Sequence, residues 1–334
     1  MICQSQFNKL ISIKLLCIFD INQLNTRVCY EKTLSPLALS LCALLGVASA
    51  NAADITVENA AGKQVVPQNP KRVVVLDFSA VDTIRALGAK DSIVGISNAG
   101  KVPDYLSEFS KEHYPSVGVP PEPAFEKIND LHPDLIIATG RQEKVLDRLK
   151  EIAPVFFVKV DYANFYPSFQ QNIHAFGQIF NKQQLANEKL AQLDKQMKAL
   201  AKKTKGKTAL LALVNESRIS AFGENSRYGI VYSGFGFTPI DKNIKSSTHG
   251  MSIGFEYVLE KNPDYLLVVD RTAAITDKAN NAKTVLDNAI IQQTQTYKNN
   301  HIVYLNAANW YLTFGGLESM GIMIDEVKSA VEKQ

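Results

Sequence analysis

The chain has 334 residues, enough for about two domains, and its 46% hydrophobic and 21% charged residues are typical of a folded soluble protein. Its formal charge is +3, and residues 53–334 carry 32 basic and 31 acidic residues, which argues against a general nucleic-acid binder. All four cysteines lie in the first 42 residues. The rest of the chain therefore has no disulfide, no thiolate metal site and no cysteine nucleophile.

Residues 1–52 are predicted to be a leader that contains a secretory signal peptide. Residues 34–47 form an apolar segment of suitable length with small residues after it, so we expect cleavage after Ala52. The part before residue 27 is longer than the usual charged start, which suggests a start codon placed too early. Cys42 follows Leu41 rather than a small residue, which argues against a lipid anchor. A retained membrane anchor is a weaker alternative, because no run reaches the ~18 apolar residues that a span needs.

The segment after the leader alternates strands with helices. A hairpin is predicted at 55–68, and the apolar run at 72–76 is typical of a buried strand. Further strands are predicted at 93–96 and 155–160, and helices at 79–87 and 145–152. This alternation predicts a parallel α/β sheet.

A unit of 18 residues occurs twice, at 124–141 and at 254–271. Each copy has Phe-Glu near its start, a Pro-Asp turn, a buried apolar strand and a final arginine, at equal spacing. The arginines are Arg141 and Arg271, and we expect both just past the carboxyl ends of parallel strands, where open α/β sheets bind ligands. The repeat predicts two similar lobes that face one cleft. Two unrelated surface arginines are the alternative.

Two helices are predicted between the copies, at 165–180 and 183–203. The second has one apolar stripe at spacings of three and four residues, formed by Ala186, Leu190, Leu193, Met197 and Leu200. A helix of ~20 residues spans ~30 Å, enough to connect two lobes. A core helix within one domain is the alternative.

The second lobe is predicted to start near residue 206. Strands are expected at 208–214, 219–222, 265–269 and 301–305, and an amphipathic helix at 317–331. The predicted division is therefore a leader at 1–52, an amino-terminal lobe at 53–164, a helical segment at 165–205 and a carboxyl-terminal lobe at 206–334.

Three predicted loops carry basic side chains toward the expected cleft. They hold Arg141 with Lys144, Arg227 with His249, and Arg271 with Tyr311. The motifs themselves contain no partner carboxylate, and uncompensated guanidinium groups favour an anionic ligand. An interlobe salt-bridge network is the alternative, and a lone loop histidine is more often inert than functional.

Enzyme signatures are missing from the sequence. It has no GxSxG, P-loop, HExxH or dinucleotide GxGxxG motif after a strand, and its five histidines are scattered. We therefore predict a binding protein, not an enzyme, with no intrinsic cofactor. An esterase and a structural or adhesive surface protein are the rival classes.

The chain resembles class III periplasmic substrate-binding proteins of ABC importers, and within them the ferric catecholate siderophore binders of the enterobactin and petrobactin type. The resemblance covers about residues 55–331. It rests on KRVVVLDFSAVDTIRALG, FEKINDLHPDLIIATGRQ, SAFGENSRYGIV, STHGMSIGFEYVLEKNPDYLLVVDR and NWYLTFGG. It implies two Rossmann-like α/β lobes joined by a single long α-helix.

The resemblance also implies roles for the basic loops. Arg141, Arg227 and Arg271 match residues that hold catecholate oxygens, and Lys144 is an auxiliary. His249 and Tyr311 match a pair that can ligate Fe(III) directly, with a pocket wall as the alternative role. Trp310, next to Tyr311, is expected to line the site and to report ligand binding by its fluorescence.

The implied partners are a ferric catecholate siderophore and an ABC permease with its ATPase. Glu126 and Glu256, at equivalent places in the two copies, match glutamates that dock on the permease, although acidic residues also favour helix starts. The expected location is the periplasm, and the expected state is a monomer. Haem, a cobalamin or a hydroxamate siderophore in the same fold is the alternative ligand.

Overall fold

In the amino-terminal lobe, buried strands alternate with helices and helical turns. The structure, a computed structural model, describes residues 53–245, 247 and 249–333, so the predicted leader lies outside the described residues. The strands are β1 (Asp54–Asn59), β2 (Gly62–Pro67), β3 (Val73–Val75), β4 (Ile93–Ile96), β5 (Gly118–Val119), β6 (Glu122–Pro123), β7 (Leu135–Thr139) and β8 (Val155–Val158). The helices are α1 (Phe78–Ala86), α2 (Phe125–Asp130) and α3 (Leu146–Lys150).

The main sheet of this lobe is parallel, as predicted. Its strand order is β4-β3-β7-β8, and β1 and β2 form a separate antiparallel hairpin. The central strands β3 and β7 carry valine, isoleucine, leucine and alanine and are almost entirely buried, because helices cover both faces of such a sheet.

Two long helices follow this lobe. They are α4 (Phe165–Ile179) and α5 (Gln183–Thr204), and α5 has 22 residues. The five predicted stripe residues of α5 are all buried. They pack into one apolar cluster that continues through both lobes.

The carboxyl-terminal lobe contains a mixed sheet. Its strands are β9 (Thr208–Asn215), β10 (Arg218–Phe222), β11 (Thr238–Pro239), β12 (Met251–Ile253), β13 (Tyr265–Asp270) and β14 (Ile302–Leu305). Its helices are α6 (Ile230–Ser233), α7 (Phe255–Lys261), α8 (Arg271–Ile275), α9 (Asn281–Leu286), α10 (Gln295–Lys298), α11 (Ala307–Tyr311) and α12 (Leu317–Glu332). The order is β12-β10-β9-β13-β14; β13 is parallel to β9 and β14, whereas β10 is antiparallel to β9 and β12.

The repeated unit folds the same way in both lobes. Asp134 accepts hydrogen bonds from the backbone N–H groups of Lys71 (2.8 Å) and Arg72 (3.0 Å), just before β3. Asp264 likewise accepts from the backbone N–H of Thr208 (2.7 Å), at the start of β9. Each Pro-Asp turn therefore ties the end of a short helix to the beginning of the neighbouring parallel strand.

The equivalent positions also share an uncommon backbone conformation. His132 and Asn262, each directly before the proline, have φ of 43° and 46°, in the left-handed region. This region suits the residue that ends a helix, because it turns the chain away from the helix axis. The repeat therefore includes backbone geometry as well as side chains.

The carboxyl-terminal helix α12 joins the two lobes. Its first N–H groups, of Glu318 and Ser319, donate to the Asp82 carboxylate in α1 over 2.8 and 2.9 Å, and the Leu317 N–H donates to Thr83 Oγ1 over 3.2 Å. Asp82 is fully buried and satisfies helix-end donors that would otherwise be unpaired. One lobe thereby caps a helix of the other.

These observations confirm the expected fold: two α/β lobes joined through a long helix. The described residues belong to one compact unit, Asn51–Gln334, because the shared apolar cluster and the α1–α12 contact connect the lobes. Among the described residues, no helix is both long and apolar enough to cross a bilayer.

Candidate ligand-binding site

Arg141 and Arg271 lie where the sequence placed them, past the carboxyl ends of parallel strands. Arg141 is the second residue of a 3-10 turn, Gly140–Val145, that follows β7 directly. Arg271 is the first residue of α8, immediately after β13. The two strands belong to different lobes, so both lobes present an arginine at equivalent places.

A capping box fixes the turn that carries Arg141. The Thr139 side chain accepts from the Arg141 N–H, and Gln142 Oε1 accepts from the Thr139 N–H over 2.8 Å. The amide of Gln142 is fully buried and donates to the backbone oxygens of Leu76 and Pro120. The backbone at Arg141 is therefore held by its neighbours, while its side chain stays partly exposed.

Tyr311 lies among three guanidinium groups. Its ring centroid is 5.7 Å from Cζ of Arg141, 5.0 Å from Cζ of Arg227 and 5.4 Å from Cζ of Arg271. We call these four residues the arginine cluster. The structure thus brings together four of the predicted site residues, from both lobes and four separate segments of the chain.

Arg227 rests on aromatic rings. Its Nη2 donates to the backbone oxygen of Tyr311 over 2.6 Å, and its Cζ lies 5.3 Å from the Tyr228 ring and 5.5 Å from the Phe314 ring. Cation–π contacts of this kind are stabilising when they are shielded from water. In the same turn Gly229 is required, because a Cβ there would lie 1.9 Å from the Glu224 backbone oxygen.

Two acceptors hold the planar fork of Arg271. Its Nε donates to Tyr311 Oη over 2.8 Å, and its Nη1 donates to Asn215 Oδ1, also over 2.8 Å. Asn215 is the last residue of β9, the strand beside β13. The sequence analysis missed Asn215, because nothing near this residue in the chain indicates that it meets Arg271.

A carboxylate stands beside Arg141. Asp77, mostly buried at the start of α1, lies 3.6 Å from Arg141 Nε through Oδ2, while its Oδ1 accepts from the Ser79 N–H. Asp77 lies outside the loops that carry the three arginines, and it compensates their charge in part. Within the described part of the chain, no carboxylate lies within 4.0 Å of Arg227 or Arg271. The arginine cluster and Asp77 together carry about two net positive charges.

This positive charge acts on the Tyr311 phenol. Burial opposes ionisation of the ring, but the hydrogen bond from Arg271 and the charges of Arg271, Arg141 and Arg227 outweigh it and lower the pKa of Tyr311 below its ordinary value of 10.0. The site therefore favours an anionic oxygen at the Tyr311 position.

The remaining predicted residues are placed differently. Lys144 is exposed in the turn after Arg141, and His249 is exposed on its own loop, with no described contact to the cluster. Trp310 is fully buried, and its indole N–H donates to Glu326 Oε2 over 2.9 Å. The expectation that Trp310 lines the site is wrong for this conformation, because its ring packs in the core behind Tyr228 and Phe314.

A lysine absent from the sequence prediction bridges the lobes. Lys101, in the loop after β4, donates its Nζ–H groups to the backbone oxygens of Ala273 (2.8 Å) and Thr276 (3.1 Å). Both acceptors lie at the carboxyl end of α8, where a positive charge is favourable. Since α8 begins with Arg271, Lys101 connects one lobe to the element that carries an arginine of the other.

Glu126 and Glu256 are exposed. Each is the second residue of a short helix, α2 or α7, in the equivalent place of its lobe. Neither lies in a described ion pair, so both carboxylates face solvent.

Among the described residues, no group of three or more His, Cys, Asp or Glu side chains is arranged to hold a metal ion. Two surface grooves lie elsewhere. One of about 810 Å³ runs along α5 between its lysines and alanines, and one of about 560 Å³ lies beside Tyr162. Neither contains a member of the arginine cluster.

Two lobes, a long connecting helix and a basic cluster at the carboxyl ends of their strands define a two-lobed substrate-binding protein. The chain belongs to the periplasmic binding protein family, whose family model matches residues 73–308. That match spans both lobes and the helix between them.

Among curated relatives, the chain is similar to the petrobactin-binding protein YclQ of Bacillus subtilis, with 42% identity over 270 residues that cover 80% of this chain and 84% of YclQ. The ferric-anguibactin-binding protein FatB of Vibrio anguillarum is 31% identical over 284 residues, which cover 82% and 86% of the two chains. The Fe(3+)-citrate-binding protein YfmC of Bacillus subtilis is 30% identical over 271 residues, covering 77% and 80%.

Solved structures agree with these relatives. The crystal structure of YclQ superimposes with a TM-score of 0.81 at 40% identity, covering 84% of this chain and all of YclQ. The periplasmic catecholate-siderophore binding protein VctP from Vibrio cholerae has a TM-score of 0.79 at 34% identity, covering 83% of this chain and all of VctP.

Proposed function

We propose that this protein binds a ferric catecholate siderophore between its lobes, at the arginine cluster, and delivers it to an ABC permease for iron uptake. The observation that carries the proposal is the position of Arg141, Arg227 and Arg271 around Tyr311, with Asp77 as the one carboxylate within 4.0 Å of them among the described residues. The names of the relatives YclQ and VctP support the catecholate class.

Charge supports the same ligand. Three catecholates supply six anionic oxygens, so their Fe(III) complex carries three negative charges, while a bis-catecholate complex carries one. A cluster with about two net positive charges suits both, and planar guanidinium groups match pairs of oxygens. A hydroxamate complex is near neutral and gains less from this site.

Tyr311 has a second role when the ligand leaves iron unsaturated. A bis-catecholate leaves two positions open on Fe(III), a hard ion that accepts oxygen and nitrogen donors. The arginines already favour the Tyr311 phenolate, which suits it as the oxygen donor. His249, which is exposed on its own loop, is the proposed nitrogen donor.

A ferric citrate complex is the second candidate ligand. Its carboxylate oxygens also suit guanidinium groups, and YfmC, named as a Fe(3+)-citrate-binding protein, is 30% identical to this chain. A catecholate remains the first choice, because YclQ is more similar to this chain and the aromatic rings around Arg227 suit an aromatic ligand.

We propose further that the protein acts in the periplasm as a monomer, with no catalytic role and no intrinsic cofactor. Glu126 and Glu256, exposed at equivalent places in the lobes, are the proposed contacts with basic residues of the permease. Lys144, exposed beside Arg141, is a proposed auxiliary contact for the anionic ligand.

The test is direct binding of coloured chelates. Purified protein is mixed with ferric enterobactin, ferric petrobactin, ferric citrate or a ferric hydroxamate, and desalted. We expect a ferric catecholate to co-elute with the protein and to be recovered chemically intact. The buried Trp310 indole packs against Tyr228 and Phe314, whose rings contact Arg227. Because the indole is this close to the proposed site, its fluorescence should fall by energy transfer to the coloured complex. Preferential retention of ferric citrate or the hydroxamate would contradict the catecholate assignment.

A further inference from the structure

The buried hydroxyl group of Tyr228 differs from most buried hydroxyl groups. Tyr228 is fully buried, yet among the described residues its Oη has no hydrogen bond. Buried hydroxyl groups are nearly always paired, since an unpaired one has lost its water without gaining a replacement. Among the described residues, Ser97, Asn98 and Ser116 also have a buried side-chain atom without a partner, and Tyr228 is the one whose ring lies against Arg227.

A nearby tyrosine shows how this chain satisfies a buried hydroxyl. Tyr232 is also buried, and its Oη donates to the Phe222 oxygen over 3.0 Å and accepts from the Leu211 N–H over 3.2 Å. Both partners are backbone groups of the adjacent strands β9 and β10. Tyr228 packs against the same Phe222, at 4.9 Å between ring centroids, but its hydroxyl receives no such pairing.

The Tyr228 ring adjoins the arginine cluster. Its ring lies under the Arg227 guanidinium, with Cζ 5.3 Å from the ring centroid. The ionisable groups close enough to shift the pKa of Tyr228 are Arg227, Tyr311, Tyr162 and Arg141, and they come from both lobes. Burial, the largest effect, raises that pKa to about 12. The hydroxyl therefore keeps its proton and is available as a donor.

We infer that Tyr228 is a further ligand-binding residue, whose hydroxyl donates a hydrogen bond to an anionic oxygen of the bound chelate. The inference rests on the proposed function and adds a neutral donor beneath the Arg227 guanidinium. The Arg227 guanidinium lies over the Tyr228 ring, and the proposed contact requires it to shift from the rings toward the chelate. An unpaired donor disfavours the free state, and pairing it increases affinity.

The test compares Tyr228→Phe with Tyr232→Phe, using ferric enterobactin and ferric petrobactin as probes. Tyr228→Phe should weaken binding of the retained probe about tenfold, the effect of one hydrogen bond to a charged group. The same change should raise the melting temperature of the ligand-free protein by about 2 °C or more, because it removes an unpaired buried group. Tyr232→Phe should lower the melting temperature and leave the affinity unchanged.

A loss of affinity together with a rise in melting temperature in Tyr228→Phe distinguishes a ligand contact from a structural role. Unchanged affinity in Tyr228→Phe, with normal binding by the unaltered protein, would overturn the inference and leave the proposed function standing. Equal losses of affinity in both variants would also overturn it, since packing would then be the cause. If the unaltered protein retains neither probe, the proposed function fails first, and this inference fails with it.

Discussion

Arg271 donates its Nε–H to the hydroxyl oxygen of Tyr311 over 2.8 Å, although 40 positions separate the two residues in the chain. The bond orients the guanidinium and favours the phenolate form of Tyr311, so each residue prepares the other for an anionic ligand. With Arg141 and Arg227 also near the ring, the pKa of Tyr311 lies below its ordinary value. Ionisation of Tyr311 is therefore stabilised at a lower pH than that of a free tyrosine.

Arg271→Ala should weaken binding of a ferric tris-catecholate by about 1.5–3 kcal/mol, the scale of a hydrogen bond to a charged group. Fluorescence titration measures the change. Arg218→Ala, at an exposed residue of β10 in the same lobe, is the matched control and should bind normally. Unchanged dissociation constants in Arg141→Ala, Arg227→Ala and Arg271→Ala would falsify the role of the arginine cluster.

Tyr311→Phe should act selectively. With a tris-catecholate the iron is already six-coordinate, so the affinity should change little. With a bis-catecholate the variant loses the phenolate donor, so binding should weaken and the ligand-to-metal charge-transfer band should shift. His249→Ala should weaken bis-catecholate binding with a smaller change of colour, because imidazole is the weaker charge donor. Visible spectra and titrations test both variants. Equal losses for both ligand classes, without a spectral change, would show that the pair only lines the site.

Lys101→Met should speed ligand release. The change removes the bonds from Lys101 Nζ to the carboxyl end of α8, so the lobes lose a direct connection beside Arg271. We expect dissociation roughly two- to tenfold faster, from a partly exposed bond of about 0.5–1.5 kcal/mol. Stopped-flow fluorescence gives the rate. Lys278→Met, at an exposed lysine just after α8, is the control, and identical rates in the two variants would argue against the bridge.

Asp82 should make stability depend on pH. Burial, the dominant effect, raises the pKa of Asp82 from 3.8 to about 7, against hydrogen bonds from Tyr105, Glu318 and Ser319 that lower it. A folded-state pKa above the unfolded value means that the folded state binds the extra proton. The stability that Asp82 contributes by binding this proton is fully present below about pH 4 and is lost as the pH rises through about 7.

Asp82→Asn should flatten this dependence between pH 4 and 7. Urea unfolding at several pH values measures it, and a slope that matches that of the unaltered protein would contradict the assignment. Asp91→Asn, at an exposed carboxylate of the same lobe, should preserve the slope. The comparison separates Asp82 from the general effect of removing one negative charge.

The permease contact is tested in cells. Glu126→Ala combined with Glu256→Ala should abolish uptake of the ferric siderophore, while binding by the purified double variant remains normal. Glu58→Ala combined with Glu188→Ala removes two other exposed carboxylates and should leave uptake unchanged. Normal uptake by the Glu126 and Glu256 double variant would rule out docking through this pair.

The repeated unit and the local structure that it forms in each lobe could be predicted from the sequence alone. Phe-Glu, Pro-Asp and the final arginine recur at fixed spacing, and this spacing assigns each of them to a helix start, a turn or a strand end. The stripe on α5 is also local, since the period of a helix decides which side chains share a face. Arg141 and Arg271 could therefore be placed at strand ends from the sequence alone, because each comes at the end of an apolar run that is typical of a buried strand.

Which side chains meet at the strand ends could be seen only in the folded protein. Asn215 reaches Arg271 across 56 positions, Lys101 reaches Ala273 across 172, and Asp82 reaches Glu318 across 236. Trp310 was assigned to the site because it is next to Tyr311 in the chain, yet α11 places its ring in the core. The spacing of nearby residues determines which helix, turn or strand forms. The partners of a side chain depend instead on how strands and helices pack against each other, and short-range patterns in the sequence do not reveal that packing.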